Sequence, residues 1–134
     1  MRYMLDTNIC IYIISKKSDV VLSNLKSHLA EGLCISAVVL AELEHGIAKS
    51  MFPEKNKAAL MKMLTAFEIL AFDATAAVEY GLIQADLQRK GTPIGSMDTL
   101  IAAHAKATGL ILITNNMREF ERVDGLTLEN WAEN

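Results

Sequence analysis

Short runs of branched apolar residues alternate along the chain with longer stretches whose apolar positions recur every three or four residues. Residues 3–6 (Tyr-Met-Leu-Asp) form an apolar run closed by an acid, and Thr7-Asn8 offers helix-starting chemistry before Ile9, Ile11, Tyr12, Ile13 and Ile14. This predicts strand, sharp turn, short helix. From Asp19, residues Val20, Val21, Leu22, Leu25 and Leu29 trace a helical stripe that Gly32 ends. Leu33 to Ser36 reads as a second strand, and Ser36 can cap a helix carrying Val38, Val39, Leu40, Leu43 and Ile47. An amphipathic helix from about Glu54 to Phe67 leads to a third strand, Ile69 to Phe72. Asp73 then caps a helix that reaches Arg89-Lys90 and is broken by Gly91 and Pro93. A helix opening at Ser96 runs through His104 to Thr108, and Gly109 closes it. Leu110 to Thr114 is the clearest buried strand, followed by a short helix from Met117 to Glu121 and a last strand near Leu126 to Leu128.

Strands that alternate with helices imply a parallel sheet covered on both faces: an α/β fold of three layers, α/β/α, with four to five short central strands. At 134 residues, without repeat, low-complexity tract or linker, residues 1–134 are expected to form one domain around one core. A composition of 51% hydrophobic residues with only 2 Pro and 7 Gly excludes a disordered segment. Acids and lysines interrupt every apolar stretch before the roughly 20 residues a bilayer crossing needs, so no membrane association is expected. The beginning, MRYMLDTN, meets an acid too early for a secretory signal, and the expectation is a cytoplasmic protein. Cys10 and Cys34 lie among apolar neighbours and read as reduced, buried thiols.

The net charge of −3, from 16 acids against 13 bases, argues weakly against a polyanionic partner. Four polar residues change that balance. In an open α/β sheet ligands bind beyond the carboxyl ends of the strands, and Asp6 ends the first strand. Asp6 can cap the helix that follows or carry chemistry. Glu42 lies one helical turn from both Val38 and Val39, on or beside the stripe that faces the core, where an unpaired carboxylate is costly. Asp98 falls in the first turn of its helix, where it can simply favour the helix dipole, and Asn115 or Asn116 can serve as a turn residue. Together, three carboxylates and an amide near strand ends can converge on one pocket, self-repelling unless cations bind. All-oxygen donors point to Mg²⁺ or Mn²⁺ rather than zinc, and His28, His45 and His104 stand apart and are assigned to packing. With three acids committed to metal the remaining charge balances, so RNA is not excluded. Lys16, Lys17, Arg89, Lys90, Arg118 and Arg122 are candidate phosphate contacts, and Thr7 and Asn8 can present hydroxyl, amide and helix N-terminal N–H groups to a phosphate.

Four segments also resemble a family in series. Met4-Leu5-Asp6-Thr7-Asn8, Ala41-Glu42-Leu43 with Gly46, Lys90 to Asp98 running into Ile101-Ala102-Ala103-His104-Ala105, and Thr114-Asn115-Asn116 with Phe120 look like the successive motifs of the VapC toxins. The resemblance covers essentially the whole chain in order. It implies a PIN fold, a metal-dependent endoribonuclease acting as the toxin of a toxin–antitoxin module, and tRNA as the first substrate to consider. It further implies one or two Mg²⁺ ions held by Asp6, Glu42, Asp98 and Asn116, a homodimer, and a VapB-type antitoxin whose tail covers the active-site groove and whose complex with the toxin binds operator DNA. Many family members carry aspartate where Asn116 stands, so one neutral oxygen replaces a carboxylate there. Two other readings are weighed against it. An aspartyl-phosphate phosphatase would use Asp6 as nucleophile, but such enzymes want an aspartate two residues on, where Asn8 stands. An inactive or regulatory module would act on DNA through its antitoxin complex, and three intact carboxylates weigh against it.

Overall fold

The computed structural model describes residues 1–133. Its centre is a five-stranded sheet in which every pairing is parallel, with strand order β3-β2-β1-β4-β5. The strands are β1 (Tyr3–Leu5), β2 (Leu33–Ser36), β3 (Glu68–Leu70), β4 (Ile111–Ile113) and β5 (Leu128–Glu129). The helices are α1 (Thr7–Ser15), α2 (Asp19–His28), α3 (Ala37–Ala48), α4 (Pro53–Leu64), α5 (Ala74–Arg89), α6 (Ser96–Thr108) and α7 (Met117–Phe120). Parallel neighbours need crossovers, and right-handed crossovers fix which face each helix covers. The path from β1 through β2 to β3 brings α1 against α2, α3 and α4, whereas the return from β3 to β4 carries α5 and α6, which pack on each other. The three-layer α/β expectation holds.

Burial follows the order of the strands. Every residue of the central β1 and β2 is buried, while the edge strand β3 keeps Glu68 and Ile69 exposed. Met4, Leu5, Ile35, Leu112 and Ile113 are fully buried and join Ile9, Val39, Ile101 and Phe120 in one core. Cys10 and Cys34 are both buried and free. At the entrance to β2 the chain needs glycine: Gly32 has φ 90°, and a Cβ there would meet the Met1 backbone at 2.8 Å.

Element boundaries depart from the sequence reading where a partner strand decides them. The third strand runs over Glu68–Leu70 rather than 69–72, because its ladder ends at Ser36↔Leu70, where β2 turns into α3 and leaves Ala71 and Phe72 nothing to pair with. The last strand is Leu128–Glu129 rather than 126–128, its register set by Leu112 and Ile113 opposite it. Helix α4 stops at Leu64, and the turn of Thr65 to Phe67 delivers the chain to β3. Ser36 and Asp73 cap α3 and α5 as expected, accepting from the Val38 and Ala76 N–H groups at 3.0 Å each. Asp6, not Thr7 or Asn8, caps α1. Ser96 is the first residue of α6, whose cap position is Gly95.

Candidate active site

Strand order reverses direction at β1, which lies between β2 and β4, so a crevice opens beyond the carboxyl ends of β1 and β4. The register sets Leu5 beside Ile113, and the Asp6 N–H donates to the Ile113 carbonyl at 3.0 Å, so Asp6 leaves the sheet at the mouth of this crevice. Its Oδ1 accepts from Ile9 N–H at 3.0 Å and the Thr114 hydroxyl also donates to the carboxylate. Asp6 thus caps a helix and stands at the mouth of the crevice at once. With 4% exposure, burial is the largest influence on it; against those two hydrogen bonds, and helped by the charge of Glu42, it pushes the carboxyl up to about 6.

Glu42 arrives from α3, half-buried between the buried Val39 and Leu43. Thr7 Oγ1 donates to Glu42 Oε1 at 2.6 Å, which ties the first turn of α1 to the middle of α3. Asp98 arrives in the first turn of α6 and is half-buried. Burial, then the charges of Glu119, Glu42 and Asp6, raise it to about 6. The charge of Glu42 thus reaches both Asp6 and Asp98, and that of Asp6 reaches Asp98.

Asn116 follows β4. Its backbone N–H donates to Thr114 Oγ1 at 2.9 Å, and its side-chain amide donates to Glu119. With that amide nitrogen engaged, the side-chain oxygen is the atom left to serve as a ligand. Asn115 has a different task, since its amide donates to the Tyr12 hydroxyl at 3.0 Å and ties the end of β4 to α1.

Glu119 is a further candidate that the sequence did not single out. Its Oε1 accepts the Gly95 N–H at 3.1 Å, so it joins the start of α6 to α7. The Asn116 and Gly95 donors hold its carboxyl below the usual range, while its charge helps to raise the carboxyl of Asp98. The available signal was its spacing of three from Asn116 in a short helix after the last buried strand.

The expected phosphate contacts fare unevenly. Thr7 commits its hydroxyl proton to Glu42, and Asn8 is exposed in the first turn of α1. Lys90 is shared between Asp86 at 2.9 Å and Asp124 at 2.6 Å, and Arg89 lies 3.6 Å from Asp86, so both are drawn into ion pairs at the end of α5. Arg122 braces the loop before α6 by donating to the Pro93 carbonyl at 3.0 Å.

The donor set fits a hard divalent cation. Among the described residues no basic side chain forms an ion pair with Asp6, Glu42, Asp98 or Glu119, and the charge of Arg122 reaches Glu119 without one, so the crevice keeps a surplus of negative charge. The donors are all oxygens, and the neighbouring charges of Glu119, Glu42 and Asp6, which help to raise the Asp98 carboxyl, are what a cation would relieve. Among the described residues no three His, Cys, Asp or Glu side chains are already drawn together around one point, so gripping an ion requires these side chains to move inward.

Residues 3–126 match the PIN domain family. Relatives extend the match to the whole length: the chain is 46% identical over 133 residues to the tRNA(fMet)-specific endonuclease VapC of Shigella flexneri, covering 98% of this chain and 99% of that protein. The chain belongs to the VapC branch of the PIN-domain family. The Salmonella typhimurium tRNA(fMet)-specific endonuclease VapC is 42% identical over 132 residues, with 98% of this chain and 99% of that protein covered. Among solved structures, VapBC2 from Rickettsia felis bound to a fragment of its promoter DNA superposes with a TM-score of 0.93 at 44% identity, covering 98% of this chain and 99% of that one. DNA-bound VapBC from Salmonella typhimurium gives a TM-score of 0.92 at 42% identity, with 98% of both chains covered. For a PIN-domain chain the crevice between β1 and β4 is the candidate active site, and the nuclease family to which it belongs is metal-dependent.

Proposed function

We propose that this chain, acting as a single PIN domain in the cytoplasm, is the toxin of a VapBC-type module, an Mg²⁺- or Mn²⁺-dependent endoribonuclease that cleaves tRNA and so stops translation. The observation that carries the reading is the unbalanced carboxylate crevice at the β1/β4 switch point, in a chain 46% identical to a tRNA(fMet)-specific endonuclease. Initiator tRNA is the first substrate to test.

In this reading Asp6, Glu42, Asp98 and the side-chain oxygen of Asn116 hold the cation. When bound, the cation offsets phosphate charge and lowers the pKa of water, the two demands of phosphodiester hydrolysis. Asp6 is held in place by the Ile9 N–H and the Thr114 hydroxyl. Glu42, held at Oε1 by Thr7, uses Oε2 to accept a hydrogen from the attacking water. The exposed Asn8 and the free N–H groups at the start of α1 take a phosphate oxygen. Attack on phosphorus breaks the bond to the 3′ oxygen, leaving a 5′-phosphate and a 3′-hydroxyl. Lys16, Lys17 and Arg118, which among the described residues have no acid partner, take over the backbone contacts from Arg89 and Lys90.

The antitoxin has a ready seat. A cleft of about 250 Å³ between α1, α3 and α4 is walled by Ile11, Ile14, Leu43 and Ile47, with Glu42 on its rim. An apolar side chain in the cleft, followed by a base reaching Glu42, would block the crevice by competing with cation and RNA. The toxin is proposed to act as a homodimer, and its antitoxin complex to bind operator DNA; VapBC2 from Rickettsia felis is bound to a fragment of promoter DNA, and VapBC from Salmonella typhimurium is bound to DNA.

Incubation of the purified chain with initiator tRNA, with Mg²⁺ or with chelator, tests the reading. Cleavage that requires metal and is lost in Asp98→Ala supports it; full activity of Asp98→Ala ends it.

A further inference from the structure

His104 is the largest polar side chain sealed in the core, 2% exposed, and the chemistry above leaves it unused. Its Nδ1 shares a 2.8 Å hydrogen bond with Ser36 Oγ, and its ring meets Phe72 edge to face with centroids 5.4 Å apart. Burial lowers the imidazole's affinity for a proton, so the ring is neutral and one hydrogen bond serves it as donor or acceptor. Its partner is no ordinary serine: Ser36 ends β2 and caps α3, with Oγ already accepting from Val38 N–H. A hydroxyl that accepts one bond retains one donor and one acceptor site, and His104 takes one of them.

The position of this contact matters more than its strength. Ser36 lies six residues before Glu42, and His104 lies six residues after Asp98. Along a helix six residues span about 9 Å. The bond therefore joins the two elements that carry Glu42 and Asp98, six residues along the chain from each acid, and these acids sense each other's charge. A buried bond whose ends lie 68 positions apart in the chain leaves α3 and α6 little freedom to slide past each other.

We propose that His104 is a positioning residue: by holding Ser36 at the start of α3 it fixes the separation of Glu42 and Asp98, and with it the affinity of the site for a divalent cation. The proposal rests on the metal-dependent reading. It assigns no contact between His104 and cation or RNA. Groups that orient ligands from behind alter metal affinity by roughly ten- to a hundredfold when removed.

Two substitutions separate positioning from packing. His104→Leu keeps much of the volume against Phe72 and removes the bond, whereas His104→Asn presents a polar atom where Nδ1 lies but leaves a cavity. The measurement is Mn²⁺ binding to the purified full-length chain, by titration calorimetry and by the loss of the free-ion electron paramagnetic signal, together with thermal unfolding without metal. The expected result is an inversion: His104→Leu melts close to the unsubstituted protein yet binds Mn²⁺ about tenfold more weakly, while His104→Asn melts lower yet binds Mn²⁺ within about twofold. Should His104→Leu bind Mn²⁺ like the unsubstituted chain, or should affinity simply follow melting temperature in both variants, the proposal is overturned. An unsubstituted chain that binds no Mn²⁺ overturns the metal reading first and the proposal with it.

Discussion

Thr7 reaches across from α1 to hold Glu42 on α3, its hydroxyl 2.6 Å from Glu42 Oε1. The bond converts a half-buried, flexible carboxylate into one whose second oxygen has a defined direction. Thr7→Val keeps the branched shape and deletes the hydroxyl. Expected is a fall of about tenfold in kcat with little change in KM for tRNA, and restoration in Thr7→Ser, measured by steady-state cleavage. Equal activity in Thr7→Val would mean that Glu42 needs no such anchor.

Asp6 and Asp98 both hold protons more tightly in the folded chain than in the unfolded one, each raised to about 6 from 3.8. Between those values the folded state binds more protons, so the stability of the metal-free protein falls as pH rises through the window from roughly pH 4 to pH 6. For the largely buried Asp6 the loss is on the order of 2–3 kcal/mol at neutral pH. Mg²⁺ or Mn²⁺ should restore it, so melting temperature rises with added metal at pH 7 and much less at pH 5. A metal-induced shift equal at both pH values would contradict the assignment.

Asp6→Asn keeps a good helix cap and removes a buried charge. The variant should be inactive on RNA and yet more stable than the parent without metal, by about 1–2 kcal/mol in urea unfolding. A less stable variant would show that capping by the charged group outweighs its burial.

Glu119→Gln tests the residue that ties α6 to α7. Its carboxylate accepts from both Gly95 and Asn116, and an amide can accept properly from one of them only. About a tenfold loss in metal affinity is expected, with the fold retained by circular dichroism. Unchanged affinity would remove Glu119 from the site.

Much of this was legible in the sequence because each local signal agreed with the global one. Asp6 stood where a buried run met a helix start, and Asp73 and Ser36 announced their caps. Gly32 and Gly109 marked turns that adopt φ of 90° and 69°. What stayed hidden depends on partners far along the chain. The end of β3 is set by where β2 stops, which no pattern within residues 66–72 records. Glu119 looked like one more acid on a short surface helix until Gly95 and Asn116 were seen to converge on it. His104, which the sequence assigned to core or surface packing, lies in the core, but its bond to Ser36 joins residues that only the folded sheet brings together.

Because β4 pairs with β1 across nearly the whole length of the chain, the wall of the crevice is among the last parts to be synthesised. A polypeptide that has emerged from the ribosome only as far as α6 already carries Asp6, Glu42 and Asp98, yet it lacks the strand beside β1 and the loop that presents Asn116. Such a fragment has the proposed ligands without a socket. A crevice built on this topology has no second wall until β4 docks beside β1, so any chemistry proposed for it waits until β4 and the loop after it are in place.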